Sequence, residues 1–175
     1  MICRNCKKKN FNKISNIGQQ PISSLFLKKK IKIKDYSLDL YKCNFCDLVQ
    51  LSKIPNLKDM YGLDYGYKTS VSKLMVDHLK KKISKLNKFG IFNKKSKILD
   101  IGSNDGTFLN FFSQLGRKYD LFGIDPSALG FIDNYNKNIN IIIDFFNKKN
   151  VEKHFIDKKI KFSLITSYAM FYDIE

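Results

Sequence analysis

Between Lys97 and Leu115 the chain changes its hydrophobic period. Ile98, Leu99 and Ile101 make a compact apolar run suited to a strand covered on both faces. From Thr107 onward, Phe108, Leu109, Phe111, Phe112 and Leu115 fall at helical spacing. Gly102 and Gly106 stand between the two patterns, predicting a strand, a glycine turn and a helix. Gly102 lets the chain turn where the strand ends, and Gly106 removes a side chain where a ligand could approach the backbone. N–H groups at the helix start favour a polar or anionic ligand.

Downstream, apolar runs predict strands over Asp120–Ile124, Asn140–Ile143 and Lys161–Ser167, with helices over Ala128–Lys137 and Val151–Phe155 between them. This alternation predicts an α/β, partial doubly wound (Rossmann-like) sheet of parallel strands. Upstream, Val71, Leu74, Met75, Leu79, Ile83 and Leu86 share one face of a helix that Thr69 or Ser70 would cap, running to about Asn87. Its other face is lysine, and Gly90 follows its end. Residues 61–67, rich in Tyr and Gly, predict an ordered loop. Nearer the N-terminus, Tyr36–Lys42 and Leu48–Ile54 predict two strands. Gly18–Pro21 predicts a turn or extended loop, and Lys28–Lys34 an exposed strand or loop. The expected division is 1–60, 61–90 (loop and covering helix) and 91–175.

Four cysteines, Cys3-x2-Cys6 and Cys43-x2-Cys46, change the picture of the first segment. Two such pairs can each form a knuckle and together give a tetrahedral thiolate site for zinc. The 36 residues between them exceed the usual interval, and redox pairs or inert thiols are the alternatives. Four thiolates close the coordination sphere, so the zinc would be structural in a zinc-ribbon-like module. The chain starts Met1-Ile2-Cys3 without a charged-then-apolar leader and has no long uncharged apolar run. The expectation is a cytoplasmic protein with no membrane partner.

The net charge of +16 invites a nucleic-acid reading. Yet 30 of the 32 basic residues are lysine, only Arg4 and Arg117 being arginine, and they are scattered. Base readout and bidentate phosphate contacts favour arginine. A solvated basic surface is the plainer reading.

The turn lacks the G-x-G-x-x-G spacing of a dinucleotide site and the P-loop lysine. Asp100 precedes its first glycine by two residues, where a carboxylate suits a ligand with an ammonium group. Asp125, 23 residues after Gly102, would accept from ribose hydroxyls, and Asp144 from an adenine amine. Singly, each acid could merely cap a helix or turn. As a set at three strand ends they fit S-adenosylmethionine.

The order Cys3-x2-Cys6, Cys43-x2-Cys46-x-Leu48-Val49-Gln50-Leu51, Tyr61-Gly62-x2-Tyr65-Gly66-Tyr67, Ile101-Gly102-Ser103-Asn104-Asp105-Gly106 and Asp144-Phe145-Phe146 resembles the sugar C-methyltransferases. Those enzymes pair an N-terminal zinc-binding domain with S-adenosylmethionine and methylate a carbon of nucleotide-diphosphate-linked keto-deoxysugars. The resemblance adds Asn104, Asp105 and Tyr168 to the cofactor set. It implies a base that removes the proton beside the sugar ketone, with the enolate attacking the methyl group. Tyr65, Tyr67 and His78 are the possible substrate contacts, and His78 equally reads as a plain helix residue. A methyltransferase sheet usually has seven strands and only four can be placed here, so the chain reads as an N-terminal fragment or one completed by a partner. A zinc-ribbon RNA methyltransferase is the alternative.

Overall fold

Three strands build the first of two compact units, Met1–Gly62 and Leu63–Glu175. The structure, a computed structural model, describes all residues except Lys28, Leu63, Ile91, Lys94, 116–118 and 172–175. In the first unit β1 (Phe11–Pro21), β2 (Asp35–Cys43) and β3 (Val49–Leu51) form an antiparallel sheet in the order β1-β2-β3. The expected turn at Gly18–Pro21 is instead part of β1. Register shifts between Lys13 and Ser15, and between Asn16 and Gln19, absorb Gly18, whose φ is 86°. Lys29–Lys34 is irregular, and Lys28 lies outside the described residues. A short helix, α1 (Leu57–Met60), is capped by Asn56.

Among the described residues of this unit only Cys3, Cys43 and Gln50 are buried. Ile14, Ile17, Phe26, Ile31 and Phe45 are all more than half exposed. A sheet with so little apolar burial is marginal by itself.

The second unit is built on a sheet covered on both faces. Strands β4 (Lys97–Ile101), β5 (Asp120–Ile124), β6 (Ile139–Ile142) and β7 (Leu164–Ser167) pair in parallel, in the order β6-β5-β4-β7. Ile98 and Leu121 pack on one face with α2 (Lys73–Lys88) and α3 (Thr107–Ser113). Phe92, Phe108, Phe112 and Tyr119 fill that core edge-to-face, with ring centroids 5.1 to 6.2 Å apart. Leu99, Ile101 and Ile124 pack on the other face. There Phe122, Phe155 and Phe162 make a second ring cluster beside α4 (Lys148–Val151), which continues as a π-helical turn over Glu152–Ile156.

Several expected elements shift. Ser72, not Thr69 or Ser70, caps α2, its hydroxyl accepting from the Met75 N–H; Thr69–Val71 is a 3-10 turn. Leu79 and Ile83 are buried as expected, but Val71 and Leu74 are about 80% exposed. Val71 precedes the helix, and Leu74 stands about 100° around it from Met75, off the buried stripe. The helix expected over Ala128–Lys137 is a 3-10 segment over Pro126–Asn134, broken at Phe131, because Asp125 caps it early with proline at the first turn. α4 begins three residues before the expected Val151, where Asn147 caps it. β3 and β7 are shorter than their apolar runs.

Phe112 is fully buried against three other rings. Phe112→Ala should lower the unfolding free energy of the second unit by about 3–5 kcal/mol, read from denaturant midpoints.

Candidate functional site

The four cysteines meet because two loops of identical design face one another. In Cys3–Lys8 the Cys3 N–H donates to the Lys8 carbonyl, and the Lys7 N–H donates back to Cys3. In Cys43–Leu48 the Cys43 N–H donates to Leu48, and the Asp47 N–H returns to Cys43. Lys7 and Asp47, at matching positions, both take left-handed φ values, 61° and 60°. Gln50 bridges the first loop: its side-chain oxygen accepts from the Arg4 N–H and its amide donates to the Ile2 carbonyl.

The four sulfurs lie within 4.8 Å of one another, with Cys3–Cys46 at 3.5 Å and Cys6–Cys43 at 3.6 Å. A tetrahedral zinc with bonds of about 2.3 Å needs sulfurs about 3.8 Å apart, so the cluster fits that ion. A Leu48 N–H draws the Cys46 thiol down to about 6. At Cys6 a Lys8 N–H pulls the same way, but burial and the neighbouring sulfurs push it up to about 12. Four thiolates in one place need a cation between them. Cys3, Cys6, Cys43 and Cys46 are a closed zinc-binding set with no position for a substrate.

In the second unit the strand order reverses at β4: the chain runs outward through β5 and β6, then returns to place β7 on the other side. Ligands of open parallel sheets bind at the carboxyl ends beside such a reversal. The expected residues Asp100, Gly102, Asn104, Asp105, Gly106, Asp125, Asp144 and Tyr168 all lie on segments at these strand ends, but their partners divide them.

Asp100 is buried in β4, where one carboxylate oxygen accepts the Thr166 hydroxyl at 2.8 Å. The other has no hydrogen-bond partner among the described residues. Burial, opposed by the Thr166 hydrogen bond and reinforced by the Asp125 charge, raises its pKa to about 7. Tyr168 stacks on Phe108 at 4.8 Å, and burial, with the Asp100 charge, pushes its phenol up to about 12.

Asp125 is largely consumed by the fold. One oxygen accepts from the Ser127 N–H and hydroxyl at 2.7 and 2.6 Å, and the other from the Asn104 N–H at 2.8 Å. That leaves about one acceptor position for a ligand. Asn104, with φ of 49°, accepts the Thr69 N–H and hydroxyl on its side-chain oxygen, and its amide donates to the Tyr67 carbonyl. Asp105 accepts from the Ser70 N–H and from the Thr107 N–H and hydroxyl. Of the N–H groups expected free at the helix start, that of Thr107 is therefore already taken within the chain.

Gly106 also departs from expectation. A Cβ there would stand 2.6 Å from the Tyr135 ring, so the missing side chain admits Tyr135, not a ligand. The Tyr135 hydroxyl donates to the Asn104 carbonyl and meets the Ser103 hydroxyl, both at 2.8 Å; burial holds its pKa far above the usual range. Gly102, φ 73°, is faced by the Met170 side chain, 2.8 Å from where a Cβ would sit. The rest of the loop expected after β7, 172–175, lies outside the described residues.

Asp144 borders a cavity of about 450 Å³ lined by Phe122, Asn140, Ile142, His154 and Ile160. Its own backbone neighbour, the Phe145 N–H, donates to one oxygen. Among the other candidates, Tyr65 and Tyr67 pack edge-to-face at 6.5 Å, and His78 is exposed on α2. Thr166, Tyr135 and Met170 carried no signal that would single them out. Ser127 did, since Asp125-Pro126-Ser127 is a helix-start signature.

A family model, Methyltransf_13, described as a zinc binding domain, matches residues 3–61. The matched stretch holds all four cysteines and associates the chain with methyltransferases. No curated protein matches the chain. Among the described residues no helix is long and apolar enough to cross a membrane.

Two outcomes follow from this chemistry. Since metal binding to a set of four thiolates contributes on the order of 10 kcal/mol, a strong chelator or Cys43→Ser should abolish the sheet dispersion of the first unit in NMR spectra. The second unit's signals should persist. Asp100 holds its proton in the folded state at pH values where the unfolded chain, near 3.8, has lost it. The second unit should therefore lose stability as pH rises from about 4 through about 7, and level off above. Asp100→Asn should flatten that slope in melting curves taken across the range.

Proposed function

We propose that the second unit binds S-adenosylmethionine at the carboxyl ends of β4 and β5, in a Rossmann-like sheet, and that the chain serves a C-methyltransferase. The proposed acceptor is a nucleotide-diphosphate-linked keto-deoxysugar. The observation that carries the cofactor reading is Asp100. It is a buried carboxyl beside the strand-order reversal, with one oxygen unclaimed and, among the described residues, no cation near enough to hold it ionised. A ligand ammonium group supplies what is missing. The zinc-binding match at residues 3–61, from a methyltransferase-associated family, supports the same class of reaction.

The residues fit the group in part. Asp125 retains one acceptor position for a ribose hydroxyl, and Asp144, at the end of β6, has an oxygen not engaged by Phe145. Met170 covers Gly102, and its flexible side chain turns aside if a ligand reaches that backbone. Asn104 and Asp105 act on the chain itself. When bound, S-adenosylmethionine supplies an electrophilic methyl group. The part of this chain is then to hold the donor in one orientation, through Asp100 and Asp125, so that a nucleophilic carbon can align with it. The zinc stays structural, and the lysine-rich exterior attracts an anionic sugar nucleotide.

Calorimetry of the zinc-loaded chain with S-adenosylmethionine tests the reading. Saturable binding of one equivalent is expected, tightening as pH rises through about 7 while Asp100 loses its proton. Asp100→Asn should weaken it by about tenfold or more. No heat from a folded, zinc-loaded chain sinks the cofactor. For the acceptor, a keto-deoxysugar nucleotide should broaden in NMR spectra with the donor present. Tight binding of an RNA oligonucleotide that falls steeply with salt would turn the reading to an RNA methyltransferase.

A further inference from the structure

We infer that Asn104 is a positioning residue that couples the tyrosine segment, Tyr65–Ser70, to the glycine turn, so that a ligand settling on the turn also orders the two tyrosines. The inference relies on the S-adenosylmethionine reading only for which ligand settles there.

The geometry leaves Asn104 little else to do. It is 7% exposed, and every polar atom it carries is engaged within the chain. Its side-chain oxygen takes the Thr69 N–H at 2.9 Å and the Thr69 hydroxyl at 3.1 Å, and its amide reaches the Tyr67 carbonyl at 3.0 Å. Its carbonyl accepts the Tyr135 hydroxyl, and its N–H donates to Asp125 at 2.8 Å. Asp105, 1% exposed, repeats the pattern one residue on by accepting the Ser70 N–H. The segment that carries Tyr65 and Tyr67 is thus fastened at three of its backbone units, 67, 69 and 70. Both fasteners sit in the turn between β4 and α3, and the first is bonded to the acid at the end of β5.

One carboxylate therefore has two dependants. Asp125 holds the Asn104 N–H and keeps one acceptor position for a ligand, while Asn104 holds the tyrosine segment. A ligand that fixes Asp125 and the turn removes freedom that the segment would otherwise lose alone. Linkage makes this reciprocal: whatever factor the ligand adds to the segment's order, the fastened segment adds to ligand affinity.

Thr69→Pro tests this without touching the turn. It deletes both donors to Asn104 at the first position of a 3-10 turn, where proline's φ is suited, and Lys68 before it is already extended (φ −122°, ψ 126°). Asn104→Ala is the second variant. In the whole zinc-loaded chain, S-adenosylmethionine should slow amide exchange at Thr69 and Ser70. Thr69→Pro should weaken its binding by about fivefold or more, a usual size for coupled sites. Without ligand, Thr69→Pro should speed exchange of the Asn104 amide by a comparable factor. Unchanged affinity in Thr69→Pro, or wild-type exchange at 69 and 70 indifferent to ligand, overturns the coupling. If the wild-type chain binds no S-adenosylmethionine, the donor reading fails, and the ligand-free arm decides. An Asn104 amide no faster in Thr69→Pro then refutes the inference as well.

Discussion

The Asn104 N–H bonded to the Asp125 carboxylate is the tie on which the second unit's carboxyl end depends. β4 and β5 are neighbours through their whole length, yet a strand pair says nothing about how the loops beyond it are arranged. One buried acid settles that question. Its two oxygens cap the 3-10 segment through Ser127 and pin the turn through Asn104. The turn, so pinned, presents its carbonyl to Tyr135, its side chain to Thr69 and Tyr67, and the room beside Gly106 to the Tyr135 ring. Buried polar groups left without partners are costly, so the members of such a network hold one another in place.

Asp100 stands apart from that economy. Its neighbours on β4 are fully packed, and Thr166 answers only one of its oxygens. A carboxyl raised to about 7 by burial destabilises the fold wherever it ionises, while Asp125, also buried, accepts three hydrogen bonds from the chain and keeps about one acceptor position. Two acids at adjoining strand ends thus have opposite surroundings. One is spent on structure; the other is held in a state that a cation would relieve, the kind of local conflict that marks binding sites.

The two units solve the problem of stability by different means. The second buries two aromatic clusters, one on each face of its sheet. The first has almost nothing apolar inside, and its buried side chains among the described residues are two of the four cysteines and the glutamine that braces their loop. Its long β1–β2 hairpin is half-buried at best apart from Cys43, so the sulfur cluster is what closes it. Metal binding there is folding energy.

The amino-acid sequence by itself determined the local facts. Strand–turn–helix order from Lys97, the parallel alternation after it, the cysteine quartet and the acids at strand ends all follow from spacing and hydrophobic period, which act within a few residues. Boundaries moved where a cap residue stood a few positions from the apolar run, as at Ser72, Asp125 and Asn147. What only the tertiary structure decided is which polar atoms are already taken. Asp125 reads as an equal candidate beside Asp100 from its type and position, and Asn104 and Asp105 join them through the family resemblance. Their difference arises from Ser127, two residues from Asp125, and from Thr69, Ser70 and Tyr135, brought in from up to 35 positions away in the chain. Hydrogen-bond saturation is a property of neighbours in space, and no periodicity along the chain encodes it.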